Sequence, residues 1–164
     1  MDVLFFISVG VASALIAEPF VRSRETKKRR NKIYVKERKE YRQKTEYNRA
    51  HLPSKELPPV SPDWAAVNRL IMETRFRLYI EGNEFVYCDY RNGNRKIPRS
   101  GFDDDTLKLI DMILKDVDWF YGHHTGGSVG ECAAVLEGFL REKYSLLSAE
   151  SVDFICGTYC INDR

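Results

Sequence analysis

Fifteen residues without an ionisable side chain, Val3 to Ala17 (VLFFISVGVASALIA), are followed within a few positions by Arg22, Arg24, Lys27, Lys28, Arg29, Arg30 and Lys32. No other feature restricts this chain so strongly, because a run this apolar must be buried in protein or in lipid, and the cations behind it resist transfer across a bilayer. As a helix, Val3 to Val21 would reach about 28 Å, close to the hydrocarbon thickness. Glu18 and Pro19 fall near its end, where a carboxylate reaches the headgroups and few backbone bonds are left to break. The expectation is a transmembrane anchor over 1–21, with the N-terminus outside and the bulk of the chain in the cytoplasm. Two rival readings are a cleaved secretory signal and a buried core helix. The first lacks a positive leading segment, although Ala12-Ser13-Ala14 resembles a cleavage site. Ser8 with Ala12, Gly10 with Ala14 and Ser13 with Ala17 stand four apart, the spacing of a helix seam for a homo-oligomer.

Charge is polarised along the chain: residues 22–52 hold thirteen Lys or Arg against four Glu, and residues 53–164 hold thirteen against eighteen Asp or Glu. The basic segment 22–52 is rich in helix formers and free of Gly and Pro, and Glu37 with Tyr41 and Glu40 with Lys44 stand at helical spacing. Its apolar residues, Ile33, Tyr34, Val35, Tyr41 and Tyr47, form no continuous stripe, so it reads as a solvated juxtamembrane stalk. Its cations set topology and solubility, attract the anionic headgroups of membrane lipids, or neutralise the phosphates of a nucleic acid while tyrosines stack on bases.

Pro53, Pro58, Pro59 and Pro62 then break the helix, giving a linker over 53–60. The remaining residues, 61–164, are enough for one modest core. Ser61 and Pro62 suggest the cap and first position of a helix bearing Trp64, Val67, Leu70 and Ile71. The stretch RFRLYIEGNEFVYCDYRNGNRKIP carries aromatic and β-branched residues interrupted by Gly82-Asn83 and Asn92-Gly93. It predicts a three-stranded antiparallel meander in which Leu78 opposes Tyr87, Ile80 opposes Phe85 and Asp89 meets Lys96. Arg91, Arg95, Lys96 and Arg99 gather at its second tip, suited to an acidic surface. Three helices complete the α+β fold. The first is capped by Asp103, Asp104 and Asp105 and presents Leu107, Ile110, Leu114, Val117 and Tyr121; the second covers 128–146 with Val129, Cys132, Leu136, Phe139, Leu140 and Tyr144; the third carries Val152, Ile155, Cys156 and Tyr159. The class is α+β, a small domain of about four helices packed on the meander behind an anchor and a stalk.

Chemistry is sparse. Cys88, Cys132, Cys156 and Cys160 read as reduced core residues in a cytoplasmic domain, or as two disulfides if the leader is a secretory signal. Cys132, Cys156 and Cys160 with His123 or His124 make only a weak zinc pattern, and capping accounts for the three aspartates, so no metal and no cofactor are expected. The loop YGHHTGGSVGEC holds the strongest chemical candidates. The amides of Gly126, Gly127, Ser128 and Val129 are placed to hold an anion, and His123, His124 and Glu131 to move a proton. The lysine of a phosphate-binding loop is missing, and a helix-ending Gly122 with a Gly126-Gly127 reversal explains the same letters structurally. No hydrolase elbow, paired-histidine zinc motif or dinucleotide fingerprint occurs. The expected function is a single-pass protein presenting an adaptor or inhibitor domain to a protein partner at the membrane. A small enzyme acting on an anionic substrate through the His123/His124 loop, and nucleic-acid tethering through the stalk, are the alternatives.

Overall fold

A computed structural model describes the backbone of residues 3–89 and 91–162, and the side chains of residues 25–89 and 91–161. It contains five α-helices and one three-stranded antiparallel sheet. In chain order these are α1 (Val3–Ala50), α2 (Trp64–Thr74), β1 (Leu78–Glu81), β2 (Glu84–Asp89), β3 (Gly93–Pro98), α3 (Asp104–Gly122), α4 (Val129–Lys143) and α5 (Ala149–Asn162). The chain divides after Gln43 into two compact units.

The first unit is helical. Residues 25–43 are exposed on every side, as expected for a segment without an apolar stripe. Glu40 pairs with Lys36 at 3.7 Å. Among the described residues no helix is long and apolar enough to cross a membrane. The side chains of the expected anchor, with its small-residue pairs, and those of Arg22 and Arg24 lie outside the described ones.

The second unit encloses the core. Val67, Leu70 and Ile71 of α2, Leu109, Ile113, Val117 and Phe120 of α3, Leu136, Phe139 and Leu140 of α4, and Val152, Ile155 and Tyr159 of α5 pack against Leu78 and Phe85 of the sheet. The periodicities read from the sequence place the faces of α2, α4 and α5, but the α3 face is turned: Leu109, Ile113 and Phe120 fill the core with Ile110 and Val117, while Leu107, Leu114 and Tyr121 are only half-buried, and several helix ends differ as well. The cap of α2 is Asp63 rather than Ser61: its Oδ1 accepts the N–H groups of Ala65 at 2.9 Å and Ala66 at 3.0 Å. Ser61 donates its own N–H to Asp105 at 3.1 Å, and Asp63 donates its N–H to Thr106 Oγ1 at 2.7 Å. The chain is therefore stitched to the start of α3 before α2 begins. At the other end of α3, Gly122 is the last helical residue and takes no left-handed conformation; extended His123 closes the helix by donating to Phe120 O at 3.3 Å. Helix α4 ends at Lys143 instead of running to Leu146, because Tyr144 leaves helical geometry with its hydroxyl bonded to Asp116 of α3 at 2.5 Å.

The first hairpin has the anticipated two-residue turn, with Leu78 opposite Tyr87, Ile80 opposite Phe85 and Gly82 at φ 59. The second departs from expectation. Asp89 pairs with Gly93, and Lys96 with Val86. Asp89 accepts the N–H of Arg91 at 3.0 Å and the Nδ2 of Asn92 at 2.8 Å, which builds a turn over 89–92 and leaves Gly93 at φ 75 as its left-handed exit. A three-residue connection thus replaces the Asn-Gly turn, and Asp89 forms an ion pair with Arg95 at 3.5 Å rather than with Lys96.

Candidate functional site

The histidine loop, the strongest chemical candidate in the sequence, is engaged by the protein itself. His123 stacks on Trp119 with ring centroids 4.2 Å apart and an interplanar angle of 4°, and its Nδ1 lies 2.7 Å from Trp119 O. Gly126 donates its N–H to Cys132 Sγ at 3.0 Å, and Gly127 donates to Glu131 Oε2 at 2.5 Å. Ser128 caps α4 by accepting the N–H of Glu131 at 3.2 Å. Two of the expected anion-binding amides are therefore already engaged, Gly127 by the expected proton-transfer carboxylate and Gly126 by the Cys132 sulfur. A Cβ added at Gly126 would stand 2.5 Å from Glu131 Cβ and 2.6 Å from Cys132 N, so glycine is required there by the close approach of α4. The last turn of α1 grips the same loop: Asn48 donates to His124 O at 2.9 Å and Arg49 to Thr125 O. Exposed His124 and half-buried Val129 line neither of the two larger recesses described for this chain.

The cysteines are free. Cys132 is buried, Cys156 and Cys160 are half-buried, and Cys88 is exposed on β2, contrary to its expected place in the core. Cys88 lies opposite Arg77 and Asn94, two polar partners at the end of the sheet face that carries exposed Tyr79, and there it stays open. Among the described residues no three His, Cys, Asp or Glu side chains are placed to hold a metal ion. On α1, Lys27, Lys28, Arg29, Arg30 and Lys32 are exposed.

A cleft of about 660 Å³ runs between β1 and α3. One wall is the segment from Phe76 to Ile80, which enters β1 at Leu78; the other is a helical stripe of Asp111, Leu114, Asp118 and Tyr121, three or four residues apart and so on one face. Order β1-β2-β3 makes β1 a sheet edge. The direction of its free groups follows from one bond: Cys88 N–H reaches Arg77 O at 3.3 Å, which fixes Arg77 and Cys88 as a hydrogen-bonded pair. Alternation then turns Tyr79 and Glu81 toward β2, and it turns the N–H and C=O of Leu78 and Ile80 outward along the edge. Ile80 is 42% exposed although it shares a face with buried Leu78. Across the cleft, Asp111 is fixed by a two-point contact with Arg99, both bonds being 2.8 Å.

This surface was not found from the sequence. Leu114 and Tyr121 had the spacing of core residues, and both are half-buried in the cleft wall. The usable signal was a strand of only four residues between a helix and a tight turn, carrying Tyr79 and Ile80 with nothing to cover them. No family model matches the chain, and no curated protein or solved structure is similar to it.

Proposed function

We propose that the chain is a membrane-anchored binding protein whose C-terminal domain receives an extended segment of a protein partner as a fourth strand beside β1. The observation that carries this reading is the open edge of β1 lying along a largely apolar cleft. Backbone groups of Leu78 and Ile80 offer two donors and two acceptors to an incoming strand, and Ile80, Leu114 and Tyr121 offer apolar contacts to alternate side chains. Strand addition needs no catalytic constellation, consistent with a histidine loop that is closed upon itself.

The N-terminal segment would hold the domain at the cytoplasmic face of a membrane as a single-pass anchor, and the exposed cations of α1 would lie among anionic headgroups. Local concentration at the bilayer then supplements the modest affinity of a four-residue edge. Sedimentation with membranes, release only by detergent, and protease access to the domain from the cytoplasmic side test this part; a full-length chain left in the supernatant overturns it.

The binding mode is tested by selecting a phage-displayed random decapeptide library on the full chain in detergent, against the Ile80→Pro variant. The N–H of Ile80 points away from β2, so proline there keeps the β1–β2 bonds while removing a donor from the edge. Loss of that donor leaves a partner carbonyl unpaired, a penalty of about 2 kcal/mol or about 30-fold in affinity. Peptides with alternating apolar residues that prefer the parent chain are expected. Failure of any peptide to distinguish the two proteins refutes strand addition at β1.

A further inference from the structure

Beside the cleft lies a second recess of about 420 Å³ with a different lining: Arg75, Arg77, Arg91 and Arg95 stand around it with Glu73 and Asp89. Its cations come from two places. Of the four expected at the hairpin tip, Lys96 is engaged by Glu84 at 3.0 Å and Glu81 at 3.7 Å, and Arg99 by Asp111 at 2.8 Å. Arg91 and Arg95 stand at the recess, Arg95 within 3.5 Å of Asp89, and Arg75 and Arg77 join them from the corner between α2 and β1.

That corner is held in an uncommon conformation. Arg75 and Phe76 are consecutive non-glycine residues in the left-handed region, with φ 50 and φ 52. The geometry persists because Phe76 is buried, its N–H closes α2 on Ile71 O at 3.0 Å, and Thr158 donates to Arg75 O at 2.9 Å. The turn brings two arginines to one end of β1. Asp89 is shared among Arg91 N–H, Asn92 Nδ2 and the Arg95 guanidinium, and with Glu73 it sets two carboxylates against four guanidinium groups, so the positive sign of the lining prevails.

Arg77 and Cys88 stand in the walls of both recesses, so the cleft along β1 opens beside the arginine cluster at the N-terminal end of the strand. We infer that the segment bound along β1 carries a carboxylate side chain, Asp or Glu, which enters this cluster; the inference rests on the strand-addition reading above. Every pairing in the sheet is antiparallel, and an antiparallel newcomer runs toward Arg77 with its C-terminal end. The acidic residue therefore lies C-terminal to the alternating apolar positions. The opposite end of the edge carries Glu81, which disfavours an acid there. Guanidinium groups suit the task because they bind a carboxylate at two points and stay charged at all working pH values.

The same decapeptide library supplies the test. Among peptides that prefer the full chain to Ile80→Pro, Asp and Glu should concentrate after the apolar alternation, and selection on Arg91→Glu/Arg95→Glu should reverse that preference toward Lys and Arg. The affinity of the best synthetic peptide should fall at least tenfold in the double variant and at least tenfold on raising NaCl from 50 to 500 mM. Enriched peptides without a charge preference, or with an affinity indifferent to both changes, overturn the arginine assignment while leaving strand addition standing. An absence of peptides that discriminate Ile80→Pro removes both. If charge reversal unfolds the domain by circular dichroism, the salt dependence measured on the parent chain decides.

Discussion

Removing the carboxylate of Asp116 should cost more stability than any other single polar substitution in the domain. Asp116 Oδ2 accepts from Lys143 Nζ at 2.8 Å and from Tyr144 Oη at 2.5 Å, and the Lys143 and Asp116 side chains are 4% and 11% exposed. Asp116→Leu leaves a buried ammonium with no counter-charge and a buried hydroxyl with no acceptor, a loss of about 3–5 kcal/mol. For a domain whose total stability is about 5–15 kcal/mol, that is a large share. By contrast, the exposed pair of Lys55 and Glu142, also in close contact, contributes about 0–1 kcal/mol. Urea unfolding of the full chain, followed by fluorescence of Trp64 and Trp119, measures the difference. The triple variant Asp116→Leu/Lys143→Met/Tyr144→Phe removes all three polar groups together and should return to within about 2 kcal/mol of the parent. A single variant that costs under about 1 kcal/mol, or a triple variant no better than the single, refutes the reasoning. The same site sets an alkaline limit. Burial, and then the hydrogen bond to Asp116, raise the Tyr144 hydroxyl far above the ordinary tyrosine range. A folded-state pKa above the unfolded one gives stability that is complete below about pH 10 and is lost as pH rises beyond it. Tyr144→Phe should lack this part of the alkaline decline. The consequence reaches the cleft, because this network fastens α3, whose Asp118 and Tyr121 form its wall.

Two further outcomes follow from the loops and the cysteines. Gly126→Ala should destabilise the domain by about 1–3 kcal/mol, since the new methyl meets the backbone of α4; Gly127→Ala, which approaches only the carboxylate of Glu131 at 3.0 Å, should cost clearly less in the same urea titration. Equal effects would contradict the packing role of Gly126. Iodoacetamide at pH 8 should modify exposed Cys88 before the others, whereas Cys156 should react only on unfolding: burial, reinforced by Glu137, pushes its thiol up to about 12. Its thiolate fraction at that pH is about 10⁻⁴. Mass-spectrometric detection of early labelling at Cys156 would contradict that placement.

Much of this architecture was legible because it follows from local periodicity. Helical spacing located Val67, Leu70 and Ile71 on α2 and Leu136, Phe139 and Leu140 on α4, and Gly82 marked the first reversal. The second hairpin was misread because Asn92-Gly93 imitates a two-residue turn, whereas Asp89 captures the backbone of Arg91 and starts the turn earlier. The end of α4 was misjudged for a tertiary reason: Tyr144 is drawn out of the helix by a carboxylate 28 positions away in sequence. The cleft was hidden in the same way: a meander makes both β1 and β3 edges, but that the β1 edge lies open beside α3 is a property of assembly rather than of local sequence. The histidine loop shows the converse, a stretch rich in reactive letters whose glycines answer to close packing and whose Glu131 caps a backbone amide.

The most direct test of the domain as a strand-accepting module is amide hydrogen exchange at Leu78 and Ile80 in the full chain, with and without the tightest peptide from the selection. The account predicts that both amides exchange rapidly in the free protein and slow at least tenfold when the peptide saturates, while Tyr79, already turned toward β2, changes little. A saturating peptide that leaves Leu78 and Ile80 unprotected and instead slows exchange around His123 and His124 would contradict it.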